Sequence, residues 1–220
     1  MKNLILVCLT IILSNAIIAQ TKTETEAPPA RHTKIAIKAG VNRSTARVYQ
    51  SDEQLESDFV DGYGIAILFN APFDGLLHFS PSLGYNRRGY TYTPGSGTIT
   101  KYTNTIHYFD MVPALSLDLP LGKKSAFVIA AGPHISFAMS GTEETFTGTT
   151  SSESKMKFDI SKDYGFIDLG LNGSVGFHVK KFLLEAGFQL GLTNINNNVE
   201  SDFRNIQNRM FSLQLGYFLK

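Results

Sequence analysis

A histidine and a serine stand two residues apart at His134 and Ser136, a pairing that could serve nucleophilic catalysis. A serine nucleophile needs a base within about 3 Å and a third group that orients this base. On a β-strand the two side chains would share one face about 7 Å apart, too far for direct contact. No orienting acid can be identified from the sequence. We therefore predict no catalytic residues and no enzymatic activity, and a barrel-borne lipid hydrolase remains an alternative.

Metal and nucleotide chemistry lack a spacing motif in this chain. None of the five histidines lies at an interval typical of a metal site. They are His32, His78, His107, His134 and His178. Gly170, Gly173 and Gly176 resemble part of a dinucleotide-binding fingerprint, but no helical pattern follows them. Small residues on a crowded strand explain these glycines better, so we predict no metal and no cofactor.

Composition narrows the class of protein. The 220 residues include 18 % charged, 43 % hydrophobic and 11 % aromatic residues. The charged fraction is below the usual quarter of a soluble domain, and the aromatic content argues against disorder. The net charge of +1 provides no basic excess for nucleic acid, so no nucleic-acid partner is predicted.

Residues 1–19 have the three-part layout of a secretory signal peptide. Lys2 provides the positive start, residues 4–13 form an apolar run, and Ala19 precedes the predicted cleavage point. The run is shorter than the roughly 20 residues that span a bilayer. Cleavage would remove Cys8, the only cysteine, and Lys2, which leaves 19 basic and 19 acidic residues. No disulfide or thiol chemistry is therefore predicted for the mature chain.

The chain after the signal peptide is predicted to begin with a flexible periplasmic lead-in, residues 20–32, and to continue as one domain, residues 33–220. In this domain apolar and polar side chains alternate with a period of two, which indicates strands with two different faces. Eight such segments are predicted. They are residues 33–42, 60–70, 76–90, 105–119, 126–140, 164–179, 182–193 and 209–219.

The connections between the eight segments alternate in length. The second, fourth and sixth are short, whereas the first, third, fifth and seventh are long and polar. Short turns at one end and long loops at the other are typical of bacterial outer-membrane barrels. The sequence therefore predicts an all-β fold, an eight-stranded antiparallel up-and-down transmembrane β-barrel in the cell outer membrane.

The composition of the two faces indicates which one meets lipid. One face carries Ile, Leu, Val and Phe, and the other carries Gly, Ala, Ser and Asn with scattered charges. Period two alone also fits a soluble lipocalin-like carrier with its apolar face inward. Small polar residues suit the narrow lumen of an eight-stranded barrel, however, and favour the membrane barrel. Tyr63, Tyr85 and Tyr217 are then candidates for the interfacial girdles.

Seven charged residues fall on the predicted lumen face. They are Lys34, Lys38, Arg88, Asp110, Asp118, Asp168 and Glu185. Buried charges must pair, so three positive against four negative charges predict a salt-bridged network that plugs the lumen. An ion-selective pore, the alternative, would need one dominant sign.

Six short segments carry a family likeness through their order and spacing. They are residues 38–42, 79–89, 112–113, 131–136, 191–195 and 208–217. Together they resemble the PorT-like family of small outer-membrane β-barrel proteins, over about residues 33–220. The resemblance implies an outer-membrane location and an eight-stranded barrel. One branch of the family is associated with secretion across the outer membrane, and no catalytic residue follows from the likeness.

We predict a monomeric outer-membrane barrel with a structural, surface-interaction or secretion-accessory role. The expected partners are outer-membrane lipid, the barrel insertion machinery and, through the resemblance, secretion-machinery proteins. A small diffusion pore is the other alternative. Loops often carry function on a rigid scaffold, and the longest one, which includes residues 141–154, is rich in Ser, Thr and Glu.

Overall fold

The computed structural model describes residues 32–50, 53–55, 57–94, 98–159, 164–197 and 203–219, in which twelve strands occur. The strands are β1 (Lys34–Gln50), β2 (Glu53–Leu55), β3 (Ser57–Asp74), β4 (Leu77–Phe79), β5 (Ser82–Tyr92), β6 (Lys101–Val112), β7 (Leu115–Gly122), β8 (Ser125–Thr147), β9 (Thr150–Lys155), β10 (Ile167–Val179), β11 (Phe182–Gly191) and β12 (Phe203–Phe218). Among the described residues, no helix is long and apolar enough to cross a membrane. The predicted signal peptide and the lead-in up to residue 31 lie outside the described residues.

Within the described residues the strands form eight staves of a closed barrel. β4 and β5 make one stave and β6 and β7 another, while β1, β3, β8, β10, β11 and β12 each make one alone. The ring closes because β1 pairs antiparallel with both β3 and β12, with Ala39 opposite Ile65 and Leu215. The predicted eight-stranded antiparallel barrel is confirmed.

Two staves are interrupted next to prolines. β4 ends just before Ser80 and Pro81, and β6 ends just before Pro113 and Ala114. Proline has no N–H to donate to a strand ladder, which explains both positions. The Ser80 amide donates to the Ala114 carbonyl at 2.8 Å, so the two breaks lie side by side and bridge each other.

The connections alternate in length as predicted. Two-residue turns at 75–76, 123–124 and 180–181 join staves at one end of the barrel, which we call the turn end. The longer connections lie at the opposite end, the loop end. There β9 pairs with β8, from Thr150 opposite Thr147 to Lys155 opposite Thr142. Much of the predicted fifth loop is therefore a β-hairpin that extends two staves of the barrel wall.

The outward face of the staves is apolar between the two ends. Val41 on β1 is 64 % exposed, and Leu215 on β12 is 56 % exposed, whereas the inward Lys38 is 6 % exposed. A closed barrel satisfies its backbone internally, so such a surface is stable against lipid tails. The predicted assignment of the two faces is confirmed, and the soluble carrier with an inward apolar face is wrong.

Aromatic side chains flank this apolar band at both ends. Tyr63 and Tyr85 lie toward the loop end with ring centroids 6.1 Å apart. Tyr217 lies at the turn end, with its ring 5.4 Å from that of Phe182 and with the Lys181 ammonium 5.6 Å away. Tyrosines at these two levels form the interfacial girdles that are typical of membrane barrels.

The polarity of the two faces reverses beyond the loop-end girdle. On β1 the outward positions become Arg43, Thr45 and Arg47, while the inward Ala46 and Val48 are only 4 % and 0 % exposed. Outside the hydrocarbon layer the outward face meets water, so the apolar side chains turn to the inside.

This reversal makes the strands longer than the sequence pattern predicts. β1 continues to Gln50 rather than residue 42, β8 continues to Thr147 rather than residue 140, and β12 begins at Phe203 rather than residue 209. Each predicted strand end lies close to the residue at which the apolar side chains change from the outward face to the inward face.

Candidate functional site

The barrel interior is the candidate site, because it holds the predicted charged residues. Three zones follow one another along the lumen. The turn-end chamber contains Asp118, the charge layer in the middle contains Lys38 and Arg88, and the aromatic cap at the loop end contains Tyr90. Each zone is built by inward positions of several staves, which the antiparallel register brings to one level.

The charge layer contains a pair between Lys38 and Glu185. The Lys38 Nζ lies 2.6 Å from a Glu185 Oε, and the two side chains are 7 % and 13 % exposed. The residues sit on β1 and β11, which are separated by β12. Gly216 of β12 lies between them, and a Cβ there would stand 3.3 Å from the Lys38 Cγ. A small residue at this position lets the lysine stem cross β12 to reach its partner.

Arg88 and Asp110 form the second pair of the charge layer. An Arg88 Nη lies 2.7 Å from an Asp110 Oδ, and both side chains are nearly excluded from solvent. Arg88 also donates to the Gln189 Oε1 at 3.2 Å, and its guanidinium carbon lies 4.0 Å from the centroid of the Tyr108 ring. Asn86 donates to the other Asp110 oxygen at 2.7 Å. These contacts give both members of the buried ion pair additional hydrogen-bond partners, which a buried pair needs to offset its desolvation.

Asp168 is fully buried and is held by neutral groups. Its two carboxylate oxygens accept from the Asn208 amide at 2.9 Å and from the Thr193 hydroxyl at 3.2 Å. The Asn208 amide also donates to the Tyr108 hydroxyl at 3.1 Å. The Arg88 guanidinium lies over the face of the Tyr108 ring. Asp168 is therefore connected to the charge layer through Asn208 and Tyr108, which are neutral, and not through an ion pair.

Asp118 belongs to the turn-end chamber, away from the charge layer. Its carboxylate lies 3.0 Å from the His78 Nδ1 and accepts from the Asn70 amide at 3.2 Å. Lys34 is exposed at the same end, and no ion pair involves it among the described residues. The structure thus brings four of the seven predicted residues into two pairs and gives Asp118 a histidine that the sequence analysis did not assign to it.

His134 and Ser136 lie deep in the charge layer. Ser136 stands opposite Asp110 on β6 and Asp168 on β10 in the strand register. Both side chains are at most 1 % exposed, and none of their polar atoms has a hydrogen-bond partner among the described residues. They are therefore not bonded to each other as a nucleophile and its base would be.

Gly170 accounts for the position of the histidine ring. It lies opposite His134 in the register, and a Cβ on it would stand 2.4 Å from the His134 Cε1. Any larger residue would expel the ring. Crowding thus explains Gly170, and a Cβ on Gly176 would stand 3.0 Å from the Leu183 side chain, whereas Gly173 has open space around it.

The aromatic cap fills the lumen above the charge layer. Its buried members are Ala46, Val48, Tyr90, Tyr92, Ile106, Tyr108, Met156, Ile195 and Ile206. Met156 and Ile195 come from the loop-end connections and pack onto the inward side chains of the staves. The rings of Tyr92 and Tyr102 stack 4.9 Å apart. Apolar packing of this kind excludes water from the loop end of the lumen.

The hydroxyl groups of the cap are kept neutral. Burial raises the pKa of Tyr92, and the nearby Glu143 carboxylate raises it further. The same two causes raise the pKa of Tyr102. Tyr164 from the loop donates to this carboxylate at 2.8 Å. This cap was not predicted from the sequence, although the inverted alternation of apolar and polar residues in 43–48 was the available signal.

A small cavity remains between the charge layer and the turn end. Its volume is about 70 Å³, and Lys38, Asp110, Ser116, Ser174 and Gln189 are among the residues that line it. One water needs about 10–15 Å³ on this scale, which counts only the space open to water centres, so the cavity has room for about five waters.

Comparison with known proteins places this barrel in a family. The profile of the outer membrane protein beta-barrel domain family matches residues 18–197. No curated protein matches the chain in sequence.

Solved structures with a similar outline come from small outer-membrane barrels. Neisserial surface protein A is 12 % identical over 84 % of this chain and 98 % of its own, with a TM-score of 0.43. OprG from Pseudomonas aeruginosa is 12 % identical over 86 % and 97 %, with a TM-score of 0.44. The attachment invasion locus protein Ail of Yersinia pestis is 11 % identical over 86 % and 99 %, with a TM-score of 0.41. Since the family profile covers most of the chain, this protein of the outer membrane belongs to the outer membrane protein beta-barrel domain family.

Proposed function

We propose that this protein is a non-conducting and non-catalytic barrel that acts by binding a partner at its loop end. The aromatic cap is the observation that carries the proposal. Ile106, Tyr90 and Val48 are at most 1 % exposed in the middle of what would be the pore entrance. A solute would have to displace this packed cluster before it reached the charge layer.

The charge layer supports a closed lumen in the same way. Lys38 and Arg88 each face one carboxylate, so the layer has no dominant sign that would select one class of ion. The cavity below it has room for only about five waters. A plug of paired charges is therefore favoured over a diffusion pore.

The absence of catalysis is supported by the geometry of the Ser–His pair that the sequence singled out, His134 and Ser136. His134 and Ser136 are buried beneath the cap and share no hydrogen bond. Lipid substrates would approach from the outward face or the loops, and both side chains point away from these surfaces. A hydrolase would need its nucleophile in reach of its substrate.

The loop end is the surface best suited to binding. Long loops of bacterial barrels face the outside, which would place the β8–β9 hairpin beyond the cell surface. All six residues of β9 are exposed. The segment carries hydroxyl groups and one carboxylate on a regular strand, a presentation that suits recognition of a partner.

Within the family we infer the PorT-like branch, on the order and spacing of the six sequence segments. A secretion-accessory role follows from that inference, with a secretion-machinery protein as the partner at the loop end. The barrel insertion machinery would assemble the barrel, outer-membrane lipid would surround it, and we propose a monomer.

Conductance of the purified barrel in a planar bilayer tests the closed lumen. We expect no discrete conductance steps at neutral pH. Steady steps that persist across preparations would overturn the proposal in favour of a diffusion pore.

Crosslinking in intact cells tests the binding surface. We expect crosslinks to a partner to be lost when residues 143–154 are replaced by a tight turn. A matched variant with Lys123 and Lys124 changed to Ser and Gly at the turn end should keep them. Equal crosslinking by both variants would remove the hairpin as the binding element.

A further inference from the structure

A groove on the outward wall of the barrel lies where the apolar band meets the loop-end girdle. Val41 of β1 and Leu213 of β12 form its floor, and they stand opposite each other in the register. Phe59 and Phe211 bound it toward the loop end, with ring centroids 6.3 Å apart. The groove is open to the outside, has a volume of about 450 Å³ and exposes mostly apolar atoms.

The aromatic walls of the groove pack against neighbouring rings, and the side chains that line it remain about half exposed. The ring of Phe211 packs against Phe188 with centroids 4.7 Å apart, which fixes the wall on β12. Val41, Leu213, Phe59 and Phe211 are between 47 % and 64 % exposed. Because this face meets lipid, an acyl chain is the apolar body that fills such a groove.

A cation stands at the mouth of the groove. Arg43 is the first charged outward residue of β1 above Val41, and its guanidinium carbon lies 5.3 Å from the Phe59 centroid. Its Nε lies 2.9 Å from an Asp61 oxygen, but the two side chains are 66 % and 80 % exposed. Exposed pairs of this kind contribute little stability, so Arg43 can exchange Asp61 for another anion.

Two further arginines lie near Arg43 at this corner of the girdle. Arg87 donates to the Asp61 carbonyl at 2.6 Å, which places it beside the same part of strand β3. Arg209 occupies the outward register position opposite Thr45, diagonal to Arg43. Arg43 and Arg87 thus both contact Asp61, one at its carboxylate and one at its backbone carbonyl, at the level where lipid headgroups lie. Guanidinium groups bind phosphate in bidentate fashion.

We propose that this groove is a binding site for a phosphate-bearing lipid, with one acyl chain on Val41 and Leu213 and the phosphate on Arg43. The apolar floor and the cationic mouth are arranged in the order in which such a lipid presents its tail and its headgroup. Free phosphate would meet Arg43 but would leave the groove empty. The proposal concerns the outward wall and is independent of whether the lumen conducts.

Native mass spectrometry of the detergent-released barrel with dioleoyl phosphatidic acid tests the site. We expect one lipid to be retained by the wild type, and its apparent affinity to fall about tenfold in Arg43→Gln, the equivalent of about 1.4 kcal/mol. Val41→Phe keeps the arginine and fills the groove, so we expect it to lower retention as well. Heat-modifiable gel mobility reports that each variant is folded.

Lys181→Gln is the matched control. Like Arg43, Lys181 is a cation that lies over an aromatic ring, that of Tyr217. It is at the turn end of the barrel, far from the groove. We expect it to retain the lipid as the wild type does. Equal loss in Lys181→Gln would show unspecific charge attraction, and unchanged retention in Arg43→Gln would remove the site.

Two further outcomes would also overturn the proposal. Complete displacement of the lipid by millimolar inorganic phosphate would mean that the headgroup binds without the groove. A dimer peak that Val41→Phe abolishes would mean that a second copy of the chain covers the groove instead of lipid.

Discussion

Arg88 depends on Asp110 far more than a surface arginine depends on its partner. Both members of this pair are nearly excluded from solvent. Removing one partner of a buried pair leaves an uncompensated charge, at a cost of about 3–5 kcal/mol. We expect Asp110→Asn to lower the free energy of unfolding by about that amount, measured by urea titration of the barrel in lipid vesicles.

Asp61→Asn provides the matched comparison, because it breaks the exposed pair with Arg43. Exposed pairs contribute about 0–1 kcal/mol, so we expect a small change in the same titration. Losses of equal size in the two variants would mean that the charge layer is hydrated in the folded barrel.

Tyr90 and Tyr108 are both fully buried but differ in the state of their hydroxyl groups. The Tyr90 hydroxyl has no hydrogen-bond partner among the described residues, whereas that of Tyr108 accepts from Asn208 at 3.1 Å. A buried polar atom without a partner is costly, so we expect Tyr90→Phe to keep or raise the free energy of unfolding. We expect Tyr108→Phe to lower it by about 1 kcal/mol. The reverse order in urea titration would show that a water satisfies Tyr90.

The sequence predicted which charges face the lumen but could not predict how they pair. Period two assigns a residue to a face, while pairing depends on the register between staves and on which residues are small. Lys38 reaches Glu185 across a whole strand because Gly216 stands between them. The Asp168 carboxylate accepts hydrogen bonds from Asn208 and Thr193 instead of pairing with a cation. Only the tertiary structure brings these groups together.

At the scale of the strand, the alternation in the sequence predicted the membrane-crossing part and missed the part beyond it. Within the hydrocarbon layer the apolar side chains point outward, and above it they point inward. A strand assignment that requires the apolar residues to stay on one face ends where they change face, near residue 42 in β1. The physical cause is the change of solvent along a single strand, from lipid to water. Searching for two phases joined at a charged residue such as Arg43 would have found the full length of β1.

The turn at 180–181 contains the one non-glycine residue with a positive φ among the described residues, Lys180 at 54°. Its amide also donates to the Lys124 carbonyl at 2.7 Å, which ties two neighbouring turns together. A left-handed conformation costs a non-glycine residue about 1–2 kcal/mol. We expect Lys180→Gly to raise the free energy of unfolding by about 0.5–1 kcal/mol, since it removes this strain and keeps the amide.

Lys181→Gly is the control for that turn, because Lys181 does not have a positive φ. Glycine there adds flexibility without relieving strain, so we expect a loss of about 0.5–1 kcal/mol. Stabilisation by both substitutions in urea titration would point to relief of repulsion between the adjacent lysines instead of backbone strain.

At the scale of the whole molecule, the lumen is closed from the loop end and leaves only a small cavity toward the turn end. The cap is apolar, the layer below it is ion-paired, and the chamber at the turn end is hydrogen-bonded. A barrel of eight staves leaves just enough room for side chains, so a filled lumen is the expected consequence of the strand number. The function proposed above therefore depends on the outer surfaces, which are the loop end, the turn end and the lipid-facing wall.

The orientation of the barrel in the membrane decides which of these surfaces meets the environment. Ser152 lies on β9 at the loop end, and Lys123 lies in a turn at the opposite end; both are exposed. The only cysteine, Cys8, falls within the predicted signal peptide, so single cysteines can be introduced without a background from the barrel. We expect a membrane-impermeant maleimide to label Ser152→Cys on intact cells and Lys123→Cys only after lysis, because long loops of bacterial barrels face outward.

Labelling after denaturation shows that both cysteines are reactive, so a missing signal on intact cells reports access alone. The opposite pattern would place the two dilysine turns outside and the β8–β9 hairpin in the periplasm. The hairpin would then meet periplasmic partners, and the arginine corner around Arg43 would lie in the inner leaflet. The native mass spectrometry of the lipid site would keep its result, since detergent-released protein has no sidedness, whereas the proposed surface interaction would lose its basis.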